Sequence, residues 1–197
     1  MPVKVILVKC TQCGAPVQGD HSDRVYICGS CGTAHTRDDT GAKPLRYEIA
    51  APNPAAMAQG APIFLPVWRL DSVVTINRAR SEGGFLNKLF GKDWKGGQMA
   101  IFVPAVDWDP KSFKYWAQTL TTKPPQYTPA QGFGSHKRMA MDISEEAARQ
   151  LADFLVLTFE AEQPGVLQDI DYSVKVNAAQ LVYLPFLQTQ AGFTIAL

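Results

Sequence analysis

The chain lacks any apolar run approaching the roughly 18–20 residues a helix needs to span a bilayer, so a helical membrane protein is not expected. It lacks a strong excess of either charge: 19 Lys and Arg stand against 18 Asp and Glu, for a net +1. That balance removes the electrostatic signature of a dedicated nucleic-acid binder. Charged residues are also somewhat sparse, at 19 % of the chain. No Gly-x-Ser-x-Gly elbow or phosphate-binding glycine loop is present, so the commonest hydrolase and nucleotide signatures are missing. The first ten residues are too short and too alternating to serve as a secretory signal. Cysteine is scarce: four in 197 residues, all in one short stretch. Without a secretory signal, cysteines in paired spacing point to a reducing compartment, and the expected location is the cytoplasm.

What the chain does have is the placement of those four cysteines. Cys10 and Cys13 form one Cys-x-x-Cys pair and Cys28 and Cys31 another, with fourteen residues between Cys13 and Cys28. Each pair is followed by a glycine, Gly14 and Gly32. A Cys-x-x-Cys turn aims two thiolates at one centre, and two such turns complete a tetrahedron of soft ligands with no position left open for a substrate. The chemistry suits one structural Zn2+ ion held by Cys10, Cys13, Cys28 and Cys31. A redox dithiol would place a single pair at a helix N-terminus, whereas here two pairs lie between β-rich runs. His35 follows the second pair closely and could be an alternative ligand, but four thiolates already complete the set. His35 and His21 are both expected to be solvated or hydrogen-bonded.

The layout of strand, knuckle, strand, knuckle, strand over the first fifty residues resembles the zinc-ribbon superfamily, seen in transcription factors and in many uncharacterised bacterial proteins. The likeness rests on Cys10, Cys13, Gly14, Cys28, Cys31 and Gly32. It implies a fold and a metal but no single function, since zinc ribbons bind nucleic acid in some proteins and only proteins in others. A module of this size cannot bury enough surface alone, so metal binding is expected to supply much of its folding free energy.

The expected organisation is α+β: a four-cysteine zinc ribbon over residues 1–49, a proline-containing linker over 50–62, and a mainly antiparallel sheet domain with two helices over 63–197. Three segments (63–66, 101–104 and 182–185) share three apolar residues followed by proline, and each reads as a core strand that proline ends. Residues 67–76 should continue the first of these and pair with 98–103. Asp109 followed by Pro110 starts a helix, with Phe113, Trp116, Ala117 and Leu120 on one face. Ser144 caps a second helix with Glu145 and Glu146 in its first turn and Ala147, Ala148 and Leu151 on its apolar face. Residues 154–159 fit either more helix or a buried strand. Tyr172, Val174 and Val176 alternate as a half-buried strand. Glu160 and Glu162 read as a solvated element end.

The stretch 78–97 is long for a hairpin loop. It interleaves Arg78, Arg80, Lys88 and Lys92 with Phe85, Leu86, Leu89, Phe90 and Trp94, a mixture suited to a protein groove, a nucleic-acid backbone or an anionic membrane surface. These nine residues are the expected partner contact. No enzyme constellation emerges: Asp107 and Asp109 match a metal-binding carboxylate pair only superficially, since Asp109 is explained as a helix cap, and His136 lies in a small polar cluster after a glycine-rich turn without an activated nucleophile motif. The expected function is a non-enzymatic, zinc-binding adaptor docking in a larger intracellular protein assembly. A nucleic-acid-binding ribbon acting in transcription or replication is the alternative, and a membrane surface is a less favoured partner.

Overall fold

The computed structural model describes residues 8–17, 23–38, 41–79, 85–91, 94–161, 170–190 and 192–197. The fold is α+β and mostly antiparallel. Its frame is a pair of very long strands, β7 (Ile63–Ala79) and β9 (Ile170–Thr189), joined from Ile63↔Phe186 to Ala79↔Ile170. Strand β8 (Gly96–Pro104) pairs with β7 over Val67–Thr75, and β10 (Gly192–Ile195) folds back on the end of β9. The short strand β6 (Tyr47–Ile49) adds to β9 in parallel, with Tyr47 opposite Leu181 and Ile49 opposite Tyr183.

The expectation that proline ends each core strand holds only for Pro104. Pro66 and Pro185 lie inside β7 and β9. The physical reason is the direction of the backbone. A strand residue points its N–H and C=O to the same side, and the carbonyls of Pro66 and Pro185 accept from Ala105 and Ala196, at 2.8 and 2.9 Å. The missing N–H of each proline therefore faces away from the β7–β9 ladder and removes no rung from it.

Alternation along β7 builds two apolar layers. Phe64, Trp68 and Leu70 join Ala148, Ala152, Leu155 and Phe159 of helix α4 (Glu145–Ala161) in one cluster. Leu65 and Val67 join Trp116 and Leu120 of helix α3 (Pro110–Thr122) in the other. The N-cap of α3 is as expected, with the Asp109 carboxylate accepting from the N–H groups of Lys111 and Ser112, both at 3.0 Å. The Ser144 hydroxyl accepts from Ala147 N–H at 3.2 Å, and the ambiguous residues 154–159 are helix. Two short helices, α1 (Pro54–Met57) and α2 (Phe85–Phe90), complete the helical set among the described residues. Among the described residues no helix is long and apolar enough to cross a membrane.

The cysteine-bearing N-terminal part contains a two-stranded pair, β1 (Val8–Lys9) with β2 (Pro16–Val17), and a three-stranded sheet of β3 (Val25–Ile27), β4 (Ala34–Asp38) and β5 (Gly41–Leu45). Its contacts run into the large sheet. Val25 and Ala34 belong to the same buried cluster as Phe64, Trp68 and Tyr183. Within 50–62, Ala50 is fully buried, its N–H donates to Tyr183 O at 3.0 Å, and Asn53 caps α1.

One ion pair clamps the two parts. Asp23 is buried, and its Oδ2 lies 2.5 Å from Arg138 Nη1, a close charge contact. Asp23 Oδ1 accepts from the N–H groups of Val25 and Met141, at 2.9 and 3.0 Å. Arg138 Nη2 donates to Val25 O at 3.1 Å. Asp23→Ala would strand the guanidinium and two buried N–H groups, and is expected to cost about 3 kcal/mol. Urea unfolding followed by tryptophan fluorescence should show a lower midpoint with an unchanged slope.

Candidate metal centre

Each cysteine pair sits in a tight knuckle, and the two knuckles repeat the same bonds. In the first, Cys10 N–H donates to Ala15 O at 2.8 Å and Gly14 N–H to Cys10 O at 2.9 Å. In the second, Cys28 N–H donates to Thr33 O at 2.9 Å and Gly32 N–H to Cys28 O at 2.8 Å. Gly14 and Gly32 both have φ of 73°, the left-handed region that a side chain penalises and glycine does not. The glycine after each pair is therefore required by the turn.

The knuckles face one another. Cys10 Sγ lies 3.5 Å from Cys31 Sγ, and Cys13 Sγ lies 3.6 Å from Cys28 Sγ. All four sulfurs fall within 4.8 Å of one another. A tetrahedral thiolate site with metal–sulfur bonds of about 2.3 Å has edges of about 3.8 Å, so this cluster can hold one metal ion. Cys10 and Cys28 are buried, while Cys13 and Cys31 reach the surface. Gln12 N–H points at Cys10 Sγ from 3.4 Å, the kind of donor that stabilises a bound thiolate.

The sulfurs compete for protons in the metal-free protein. Hydrogen bonds from the Thr33 side chain and then its backbone lower Cys31 to about 6. Backbone N–H groups of Cys31 and Ser30 lower Cys28. The Ala15 backbone favours the Cys13 thiolate, but Cys31 and Cys28 beside it outweigh that help and push Cys13 up to about 12. A cation removes this conflict by sharing its charge among four sulfurs.

Of the two states expected for His35, solvated or hydrogen-bonded, the structure shows the second. His35 is fully buried, and its Nε2 accepts from Thr11 N–H at 3.2 Å and lies 3.1 Å from Thr11 Oγ1. It thus ties the first knuckle to β4. Tyr47, on β6, does the same for the second knuckle by donating from its hydroxyl to Gly32 O at 3.0 Å. Its ring also packs edge-on to Tyr183 at 5.9 Å. Asp23, Arg138, Tyr47 and Tyr183 position the site, yet no local pattern marks them, because each meets partners far away in sequence. His21 lies outside the described residues, and His136 rests half-buried against Phe64.

The expected partner stretch is arranged differently from a free loop. Phe85 and Leu86 are 4 % and 1 % exposed, so they belong to the core and offer no contact surface. Glu160, expected to be solvated, is also buried and accepts from Leu86 N–H at 3.0 Å. The acid anchors α2 against α4, and no apolar periodicity could reveal that bond. Leu89 and Trp94 are half-buried, and Phe90, 38 % exposed, stacks on Trp94 with centroids 4.2 Å apart. Arg80, Lys92 and Glu162, and the side chains of Arg78 and Lys88, lie outside the described residues.

Comparison with family models, with curated proteins and with solved structures finds no match.

Elemental analysis of the purified chain is expected to find one metal ion per chain, lost in Cys10→Ser and Cys28→Ser. Because a proton must leave each thiol before it can bind, affinity should fall as pH falls. Titration in buffers of different ionisation heat should show proton release per bound ion rising by about one on descending through pH 6, where Cys31 becomes protonated in the metal-free state.

Proposed function

We propose that the protein is a non-enzymatic zinc-binding adaptor, with a four-cysteine zinc ribbon that docks within a larger intracellular protein assembly. One observation carries this reading: four thiol sulfurs within 4.8 Å of one another, supplied by two knuckles of the same bonding pattern. Four protein ligands fill a tetrahedral ion's shell, which leaves it no open position for substrate and makes its role structural. All-sulfur tetrahedral ligation favours zinc among the common divalent ions, iron being the main competitor.

The docking part of the proposal is supported by what the knuckles present. Thr11, Gln12, Cys13 and Gly14 are exposed on one, and Gly29, Ser30, Cys31 and Gly32 on the other. The bonds from Tyr47 and His35 hold these tips against the sheet. A partner would therefore meet a preorganised surface, which lowers the ordering cost of association. Phe90 and Trp94 offer a second, smaller apolar surface.

The test is affinity purification of the tagged protein from its own cells, with and without nuclease. Partners that survive nuclease and disappear with Cys10→Ser are the expected result. Recovery that depends on intact nucleic acid, with binding that weakens steeply as salt rises, would instead favour the nucleic-acid reading.

A further inference from the structure

Strand β9 has one edge that is only partly used. Its inner side pairs with β7 from Ile170 to Phe186. On its outer side β10 takes residues 186–189 and β6 takes 181–183. Among the described residues no strand pairs with 170–180 on that side. Among the described residues this stretch of the edge is open, and an open edge is a template for another strand.

The side chains of this edge narrow the choice of strand. Asp171, Ser173 and Lys175 are exposed on one face, while Tyr172, Val174 and Val176 are half-buried against the core on the other. Asp171 and Lys175 flank Ser173 at equal distances and carry opposite charges. Among the described side chains neither takes part in an ion pair; Asp171 lies opposite Arg78 in the β7–β9 register and is held by Asn77 Nδ2 at 3.2 Å. Two copies of the segment run antiparallel about a two-fold axis at Ser173 would place Asp171 of each copy opposite Lys175 of the other. The segment is therefore complementary to itself.

The surroundings limit and extend this contact. Arg149 Nη1 donates to Val176 O at 3.1 Å and so occupies the carbonyl at which such a ladder would continue. The rungs left are those of Tyr172 and Val174, centred on Ser173. Helix α4 runs beside this edge, since Tyr172 donates from its hydroxyl to Asp153 O at 3.2 Å. Next to Asp153, Phe154 is 59 % exposed and Leu157 is 40 % exposed, large apolar areas for a helix surface. A second copy paired at β9 would bring its own α4 alongside and cover them.

We propose that this edge of β9, with the Phe154–Leu157 side of α4, is the homodimer interface of the protein. Pairing of two five-stranded sheets across it makes one continuous sheet, and the Asp171–Lys175 pairs set the register.

Sedimentation velocity on the full chain tests this with a charge swap. The parent protein is expected to dimerise. Asp171→Lys and Lys175→Asp should each raise the dimer dissociation constant about tenfold, because two symmetry-related pairs change from attraction to repulsion. An equimolar mixture of these two variants should recover the parent affinity as a heterodimer, as should the double variant as a homodimer. A parent protein that stays monomeric at roughly 100 µM, a concentration at which even a weak specific dimer is populated, overturns the proposal. So does a dimer whose affinity neither single variant changes.

Discussion

The ladder between β7 and β9 is the constraint on which the rest of the structure depends. Because side chains alternate along a strand, the register that holds from Ile63↔Phe186 to Asp71↔Ala178 decides the face of every residue in that stretch, before irregularities shift it beyond Asp71. It sends Phe64, Trp68 and Leu70 toward α4, and Leu65 and Val67 toward α3. It also aligns Pro66 with Tyr183 and Pro185 with Phe64, the registration that lets two prolines sit mid-strand without loss of a rung. A slip of one residue would exchange the two sets, giving each helix the residues that now pack against the other.

The cysteine-bearing part is attached to that ladder because it cannot stand alone. Among the described residues its own cluster holds three that are buried, Cys10, Val17 and Cys28, far too few to offset the entropy of ordering a chain segment of this size. Two external sources make up the difference. A metal ion would bind the two knuckles together. The sheet supplies the rest through β6, the Asp23–Arg138 pair and the shared cluster around Val25 and Ala34. Tyr47 links the two sources directly, since it bonds to Gly32 of a knuckle while its strand pairs with β9. Ordering of the metal centre and ordering of the sheet are thus mechanically connected.

This arrangement bears on the proposed adaptor role. A docking surface made of short knuckles has few contacts of its own, so its rigidity must be borrowed. Backbone bonds inside each knuckle, the buried His35–Thr11 contact and the Tyr47 bond provide it from below, leaving the tips free above. Surface residues that look attractive in the linear chain do not serve the same purpose when the fold claims them. Phe85 and Leu86 pack beneath α4, and the adjacent Glu160 carboxylate is turned inward to satisfy Leu86 N–H.

Local chemistry by itself determined the four-cysteine cluster, the two glycine-terminated knuckles, the Asp109 and Ser144 caps and the alternation at Tyr172, Val174 and Val176. Each depends on residues within a few positions of one another, where spacing and backbone geometry are readable directly. Other features were decided only by the tertiary structure. Whether a proline ends a strand depends on which side of the ladder its nitrogen faces, and that depends on the partner strand. Whether residues 154–159 are helix depends on the apolar layer that receives Leu155, Val156 and Phe159. The burial of Glu160 and the Asp23–Arg138 clamp depend on groups far apart in the chain, 115 positions in the second case. No local pattern encodes such a meeting, because burial of a charge is favourable only once its distant partner has been brought to it.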